Sequence, residues 1–253
     1  MNELAPPADA LERLRNAPLE VIGRMPWASN GTFLVRLLGP DDNPPVDVDA
    51  DVDPFDDPRP HAIYKPVRGE RPLWDFEPGL HRREVAAYEL GEALGFACVP
   101  PTAIREDAPL GVGSLQWFIR ADHREHYFTM VEQRPDLHDQ LRDIAVFDLL
   151  ANNTDRKSGH CLLAGDRVWA IDNGLCFATD FKLRTVIWEF AGEALSDRQL
   201  TAVSRLADEI PAAIRAQLAD DEVDALAARA GALAADGVLP ADPSGQRYPW
   251  PLV

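Results

Sequence analysis

The sequence predicts an α+β protein of two lobes with a cleft between them, strand-rich in its first half and helical in its second. Three observations carry this prediction. Short segments of alternating apolar residues fill the first half, and stretches with helical spacing, rich in Ala and Leu, fill 196–218 and 221–236. Near the join, "NNTDRKSGHCLLAGDRVWAIDNG" (152–174) gathers charged residues around a short apolar hairpin. The expected organisation is an N-terminal leader at 1–18, a strand-rich lobe at 19–119, a helical lobe at 120–240 and a proline-containing tail at 241–253.

Taken in order, the leader is polar, with a short helix around Leu11–Arg15. "LEVIGRMPWASNGTFLVRLLG" (19–39) alternates in strand fashion about a Ser29-Asn30-Gly31 turn. The Asp- and Pro-dominated stretch at 41–60 cannot build a core and reads as a solvated insertion. Its Asp47, Asp49 and Asp51 resemble a calcium loop but lack the Gly and Glu that such a loop needs. "AIYKP" (62–66) is a short strand stopped by Pro66, and Leu80–Leu94 is a helix stopped by Gly95. "VPPTAI" and "SLQWFI" read as strands, and 136–152 as an amphipathic helix with Leu137, Leu141, Ile144 and Ala145 on one face. Gly165-Asp166 turns the hairpin, which places Asp172 opposite Gly159 and beside His160, in reach of the loop that carries Asp155.

Composition narrows the function. With 253 residues, 46% of them hydrophobic and 26% charged, the chain reads as a soluble globular protein. A net charge of -17 argues against nucleic acid and against an anionic membrane surface as partners. No apolar run is long enough to span a bilayer, so integral membrane association is not expected. Cys98, Cys161 and Cys176 sit among apolar neighbours without a paired spacing, which suits buried thiols in a reducing cytoplasm.

The polar cluster contains the parts that phosphoryl transfer requires: a metal-binding acid, a cation for the phosphates and an acid beside the attacking group. Asp172, at a strand end, offers oxygen ligands to Mg²⁺ or Mn²⁺. Asp155 is placed to orient a hydroxyl or take its proton, and Arg156 beside it to brace the loop. Lys65 suits the α/β-phosphates, with Glu84 as its ion-pair partner or as a metal ligand. The amides of Ser29, Asn30 and Gly31 suit a phosphate cover. Lys182 and Arg184 form a local basic pair in an acidic chain, a candidate grip for an anionic substrate.

"NNTDRKSGH" followed by "IDNGLCF" resembles the catalytic and metal-binding motifs of atypical kinases. The likeness is to the secretory-pathway FAM20 kinases and to the phosphatidylinositol 3-/4-kinases. "REVAAYELGEALGFACVPPT" resembles the FAM20 helix with its "VPP" segment, and "AIYKP" stands where that family keeps its nucleotide-contacting lysine. The chain is similar as a whole to bacterial proteins labelled phosphatidylinositol-kinase-like, and the likeness covers roughly residues 20–190. It implies a protein-kinase-like fold with ATP between the lobes. Lys65 would be the phosphate-binding lysine, Glu84 the acid of the first helix, Asp155 the catalytic acid and Asp172 the metal ligand. Trp117 and Phe118 of "SLQWFI" would mark the hinge that contacts adenine. Two positions depart from the pattern. Lys157 stands where lipid kinases have His, and His160 where many kinases place a metal-binding Asn, a change that suits Mn²⁺ better than Mg²⁺.

The resulting expectation is an ATP- and Mg²⁺- or Mn²⁺-dependent kinase. Its acceptor hydroxyl belongs to a small molecule, a lipid or inositol head group, or a protein. A nucleotide-binding pseudokinase and an AMP-transferase on the same fold are the alternatives.

Overall fold

The alternating segments of the first half pair into one antiparallel sheet. A computed structural model describes residues 5–26, 30–39, 42, 57–73, 75–122 and 124–252. The chain divides into two units, Met1–His81 with Pro101–Arg120, and Arg82–Pro100 with Ala121–Val253. Mixed α and β structure fills them, as the sequence predicts.

In the first unit a short helix α1 (Ala10–Asn16) precedes strands β1 (Leu19–Arg24), β2 (Phe33–Leu37) and β3 (His61–Pro66). Strands β4 (Thr102–Arg105) and β5 (Gly113–Trp117) complete a five-stranded sheet in the order β1-β2-β3-β5-β4. Period-two alternation decides its two faces. Val35, Leu37, Ala62, Tyr64, Ala103 and Leu115 form a core into which α1 inserts Leu14. His61, Ile63 and Lys65 alternate with Ala62 and Tyr64 and therefore occupy the other face. Lys65 pairs with Ser114, and Ile63 with Gln116. Gly113 starts β5 where any side chain would collide: a Cβ there would lie 2.4 Å from the Lys65 carbonyl oxygen and 2.7 Å from the Tyr64 ring. The Asp-rich pattern at Asp47, Asp49 and Asp51 lies outside the described residues.

The boundary between units falls inside α2 (Leu80–Ala93), after His81. The second unit continues with α3 (Tyr127–Gln133), α4 (His138–Ala151), the hairpin β6 (Cys161–Ala164) and β7 (Arg167–Ala170), and helices α5 (Asp197–Asp208), α6 (Ala212–Arg215) and α7 (Asp220–Asp236). Helix α4 is its spine, with every residue from Leu141 to Ala151 buried except Arg142. Asp143 of α4 accepts bonds from Arg198 and Gln199 and so ties α4 to α5. The stretch expected to be helical over 196–218 breaks at Pro211, whose ring cannot continue a helix from the preceding turn. All three cysteines are buried and free of disulfides. No helix among the described residues is long and apolar enough to cross a membrane.

Candidate active site

The second unit carries a loop between α4 and β6 that is fixed from beneath by a buried ion pair. Helix α4 ends at Asn152 in the left-handed conformation, φ 52°, a position that Asn tolerates better than most side chains. One turn earlier Asp148 is wholly buried, as is Arg156 of the loop. The Arg156 Nε lies 3.1 Å from both Asp148 oxygens and its Nη2 lies 3.0 Å from Oδ1. Asn153 Nδ2 and Thr185 Oγ1 donate to the same carboxylate, each at 3.1 Å. The rest of the guanidinium is also used: Nη2 reaches Asn173 Oδ1 at 2.7 Å and Nη1 the Ile171 carbonyl at 2.7 Å. Burial works against the arginine's charge, but the Asp148 carboxylate outweighs it and holds its pKa above the usual value. Every strong donor here has an acceptor, the condition under which a buried pair is tolerated.

The hairpin register is the one the turn predicts, Cys161 opposite Ala170 through Ala164 opposite Arg167. Beyond its last rung, Ile171 N–H donates to the His160 carbonyl at 3.0 Å. Asp172 then takes φ 57°, uncommon for a residue other than glycine and a feature that clusters at working sites. Its neighbour's amide, Asn173 N–H, donates to Glu84 Oε2 of α2 at 3.1 Å, and Glu84 is almost wholly buried.

Above the buried pair stands a partly exposed rim. Asp155 is oriented by its own amide, which donates to Asn153 Oδ1 at 2.9 Å, and Lys157 Nζ lies 3.1 Å from Asp155 Oδ2. Burial pushes the Asp155 carboxyl above its usual range; Lys157 opposes that and the nearby charge of Asp172 adds to it. His160 Nδ1 lies 2.9 Å from the Asp155 carbonyl, and a carbonyl only accepts, so this nitrogen carries the proton. The Lys157 amide approaches the same nitrogen at 3.5 Å, a longer and weaker contact. The lone pair on Nε2 is thereby turned toward Asp172 Oδ2, 3.6 Å away. A single ion with bonds of about 2.1 Å to nitrogen and oxygen spans such a gap. No group of three or more His, Cys, Asp or Glu among the described residues forms a complete metal cage. A site of two protein donors fits Mg²⁺ or Mn²⁺, which take their remaining ligands from phosphate and water.

The segment after the hairpin is stitched to this loop. Asn152 Oδ1 accepts the Lys182 amide at 2.9 Å, and the Arg184 amide donates to the Asn153 carbonyl at 2.8 Å. The Arg184 carbonyl accepts the Arg156 amide at 3.1 Å. The C-terminal tail adds two more stitches. Ser158 N–H donates to the Leu252 carbonyl at 2.8 Å, and Thr185 N–H to the Arg247 carbonyl at 3.1 Å.

The second unit thus brings together Glu84, Asp155, Arg156, His160 and Asp172, with the backbone of Lys182 and Arg184 bonded to the same loop. In the first unit Lys65 stands on the sheet face away from the core. Ser29 lies outside the described residues. The Gly31 amide, expected to face phosphate, donates instead to the Gly69 carbonyl at 2.9 Å, and a Cβ on Gly31 would lie 2.9 Å from the Gly69 Cα. Asn30 Oδ1 accepts the Arg71 amide at 3.1 Å. The amides of Trp117 and Phe118 are likewise engaged, donating to the carbonyls of Pro101 and His61 at 2.8 and 3.0 Å. The amide donors of Gly31, Trp117 and Phe118 are therefore already engaged by backbone carbonyls.

Protein Rv2133c of Mycobacterium tuberculosis is 36% identical over 283 aligned residues, which cover 94% of this chain and 93% of that protein. The chain belongs to the family of Rv2133c. No family model matches it. Phosphatidylinositol 4-kinase gamma 4 of Arabidopsis thaliana is 32% identical over 141 residues, 44% of this chain but only 24% of the plant protein. Among solved structures, the Golgi casein kinase with Mn/ADP bound superposes with a TM-score of 0.54 at 14% identity, over 97% of this chain and 80% of that one. Hydra Fam20 with sugar gives 0.50 at 16% identity, over 90% and 87%. At these identities the likeness is one of fold, and the Rv2133c-family chain has an atypical-kinase-like fold.

Two parts of this family member's site escape a motif-based reading. Asp148 falls four residues after Ile144 and seven after Leu141, on the apolar face of its helix, and an acid at that spacing needs a buried partner. That spacing was the available signal. Glu70, which precedes α2, accepts the amides of Gly79 and His81 at 3.1 and 3.0 Å and meets His81 Nδ1 at 2.9 Å, fixing the start of that helix.

Proposed function

We propose that the chain is an ATP-dependent kinase that transfers the γ-phosphoryl group to a hydroxyl of a small molecule, a lipid or inositol head group, or a protein. The observation that carries this reading is the pairing of a fixed, basic Asp155 with the His160–Asp172 couple on one rigid loop. In this reading Asp155 accepts the proton of the attacking hydroxyl, while that oxygen bonds to phosphorus and the bond to the departing diphosphate breaks. Its raised pKa makes it a better base than an ordinary aspartate. Lys157, beside it, neutralises charge on the transferring group. His160 and Asp172 hold the divalent cation, which when bound supplies charge neutralisation on the phosphates. Lys65 contacts the phosphates, a role supported by "AIYKP" and by its place on the outward sheet face. Glu84 supports the Asp172-Asn173 turn through its bond to the Asn173 amide. Arg156 positions the loop without touching substrate. The engaged amides of Gly31, Trp117 and Phe118 lend no support to a nucleotide-binding role for them, and Lys182 and Arg184 are proposed to face the acceptor.

A pseudokinase reading draws on one contact, the Lys157 ammonium bonded to Asp155 Oδ2, which occupies the oxygen a substrate would need. ATP labelled at the α- or γ-phosphate separates the possibilities. Transfer of the γ-label with Mg²⁺ or Mn²⁺, strongly reduced in Asp155→Asn and Asp172→Asn, is the expected result. Transfer of the α-label would mark an AMP-transferase, and ATP binding with no transfer a pseudokinase.

A further inference from the structure

The first unit contains a cavity of about 240 Å³ that the kinase reading leaves unused. Among the described residues its lining includes Arg13, Arg59, Arg120, His61, Trp117 and Phe118, and no aspartate or glutamate. In a chain of net charge -17 that is a marked local reversal of sign. We propose that this cavity binds a small phosphomonoester carrying a single planar ring, independently of the nucleotide.

Four features point to that ligand. Arginine forks match phosphate oxygens two at a time, so three guanidinium groups in one cavity select a phosphate or similar anion. His61 is only 3% exposed, yet neither ring nitrogen makes a well-formed hydrogen bond; the Arg59 backbone is a weak neighbour and Asp57 Oδ2 stands 3.6 Å from Nε2. A buried polar group left so calls for an explanation, and a ligand oxygen provides one. Trp117 and Phe118 offer apolar walls to a ring. Finally, the volume falls below the roughly 300–1,000 Å³ of sites for drug-sized ligands, which is too little for a nucleoside triphosphate.

The three arginines differ in how far they are already committed. Arg13 pairs with Asp9 at 2.8 Å on an exposed helical turn, a contact of little strength. Arg59 holds Asp57 with two prongs of its fork, Nε to Oδ1 and Nη2 to Oδ2, each at 2.9 Å, and Arg120 donates to the carbonyls of Asp57 and Arg59. The cavity lies at the end of the sheet where β3 begins at His61 and β5 finishes at Trp117, four residues along β3 from Lys65.

Titration calorimetry of the full chain with phenyl phosphate, with inorganic phosphate as the control, tests the proposal. Imidazole resonances of His61, assigned by their loss in His61→Gln, give a local readout. Phenyl phosphate should bind one per chain, shift the His61 signals, and bind about tenfold more tightly than inorganic phosphate, as expected of a buried ring. Arg120→Gln should weaken binding about tenfold or more, the cost of one charge-assisted bond. Should that variant misfold by circular dichroism, the exposed Arg13→Gln serves the same purpose. Asp172→Asn should bind phenyl phosphate as the wild type does, with or without saturating ADP. Absence of binding, equal affinity for the two probes, unchanged affinity in the folded arginine variants, or competition by ADP would each overturn the proposal.

Discussion

Asp148 and Asp155 lie seven residues apart in the chain and in opposite environments. The first is wholly buried and accepts bonds from Arg156, Asn153 and Thr185. The second keeps 27% of its side chain exposed and pairs with the Lys157 ammonium. Asp155 and Arg156 are adjacent, yet one faces the rim and the other the interior. The difference teaches where the loop stores its rigidity and where it keeps chemistry available. A carboxylate saturated with donors holds geometry and has no oxygen left to react. One held at its backbone with an oxygen near solvent can exchange a proton.

The most severe way to break this comparison is to neutralise the rim. Asp155→Asn should lower phosphoryl transfer by about 10²–10⁴-fold, the usual weight of a general base. Its melting temperature should not fall, because burial and the charge of Asp172 already disfavour the ionised Asp155. Radiolabel transfer and thermal melting of the same preparation check both halves. A variant that lost stability and activity together would place Asp155 with the structural residues.

Neutralising the interior should do the reverse. Asp148→Asn leaves Arg156 buried without its counter-charge and should cost about 3–5 kcal/mol of unfolding free energy in urea. The double variant Asp148→Leu/Arg156→Met should recover much of that loss, since it removes both charges together. If the double variant were no more stable than the single, the bonds to Asn173 and Ile171 would outweigh the ion pair in holding the loop.

These two aspartates also mark how far the sequence is legible. The hairpin could be read to the residue, because its turn and its apolar runs are local signals, and with it the approach of His160 to Asp172. The α2 and α4 helices and the β3 lysine strand were legible for the same reason. The bonds made by Gly31, Trp117 and Phe118 were not, because each amide is claimed by a carbonyl distant in sequence: Gly69, Pro101 and His61. Motifs reveal which residues are grouped but not which of their donors the fold has already used. The tail was opaque on the same ground. Nothing in "QRYPWPLV" announces that its carbonyls receive the amides of Ser158 and Thr185.

That tail offers a smaller perturbation on the structural side. Ending the chain after Pro240 removes the acceptors of Ser158 and Thr185 and should destabilise the protein by about 1–3 kcal/mol, the worth of two backbone bonds. Hydrogen exchange should accelerate at those two amides before it does so in α4. Equal protection in the full and shortened chains would show that neither bond restrains the loop.

Glu70 sharpens the comparison from an intermediate position, being neither saturated like Asp148 nor open like Asp155. Burial pushes its carboxyl up, but hydrogen bonds from the His81 ring and from the His81 and Gly79 amides outweigh that and bring it from the usual 4.5 down to about 2. A carboxylate with a depressed folded-state pKa contributes stability that is complete above the unfolded value and is lost as pH falls toward the folded one. Its contribution should therefore be flat above pH 4.5 and decline down to about pH 2, with a slope approaching about 1.4 kcal/mol per pH unit. Glu70→Gln has no such proton to take up. Its deficit relative to the wild type, measured by urea unfolding at successive pH values, should shrink across that window and stay constant above it. A deficit independent of pH throughout would mean that Glu70 holds the start of α2 by shape and neutral bonding, with its charge contributing nothing.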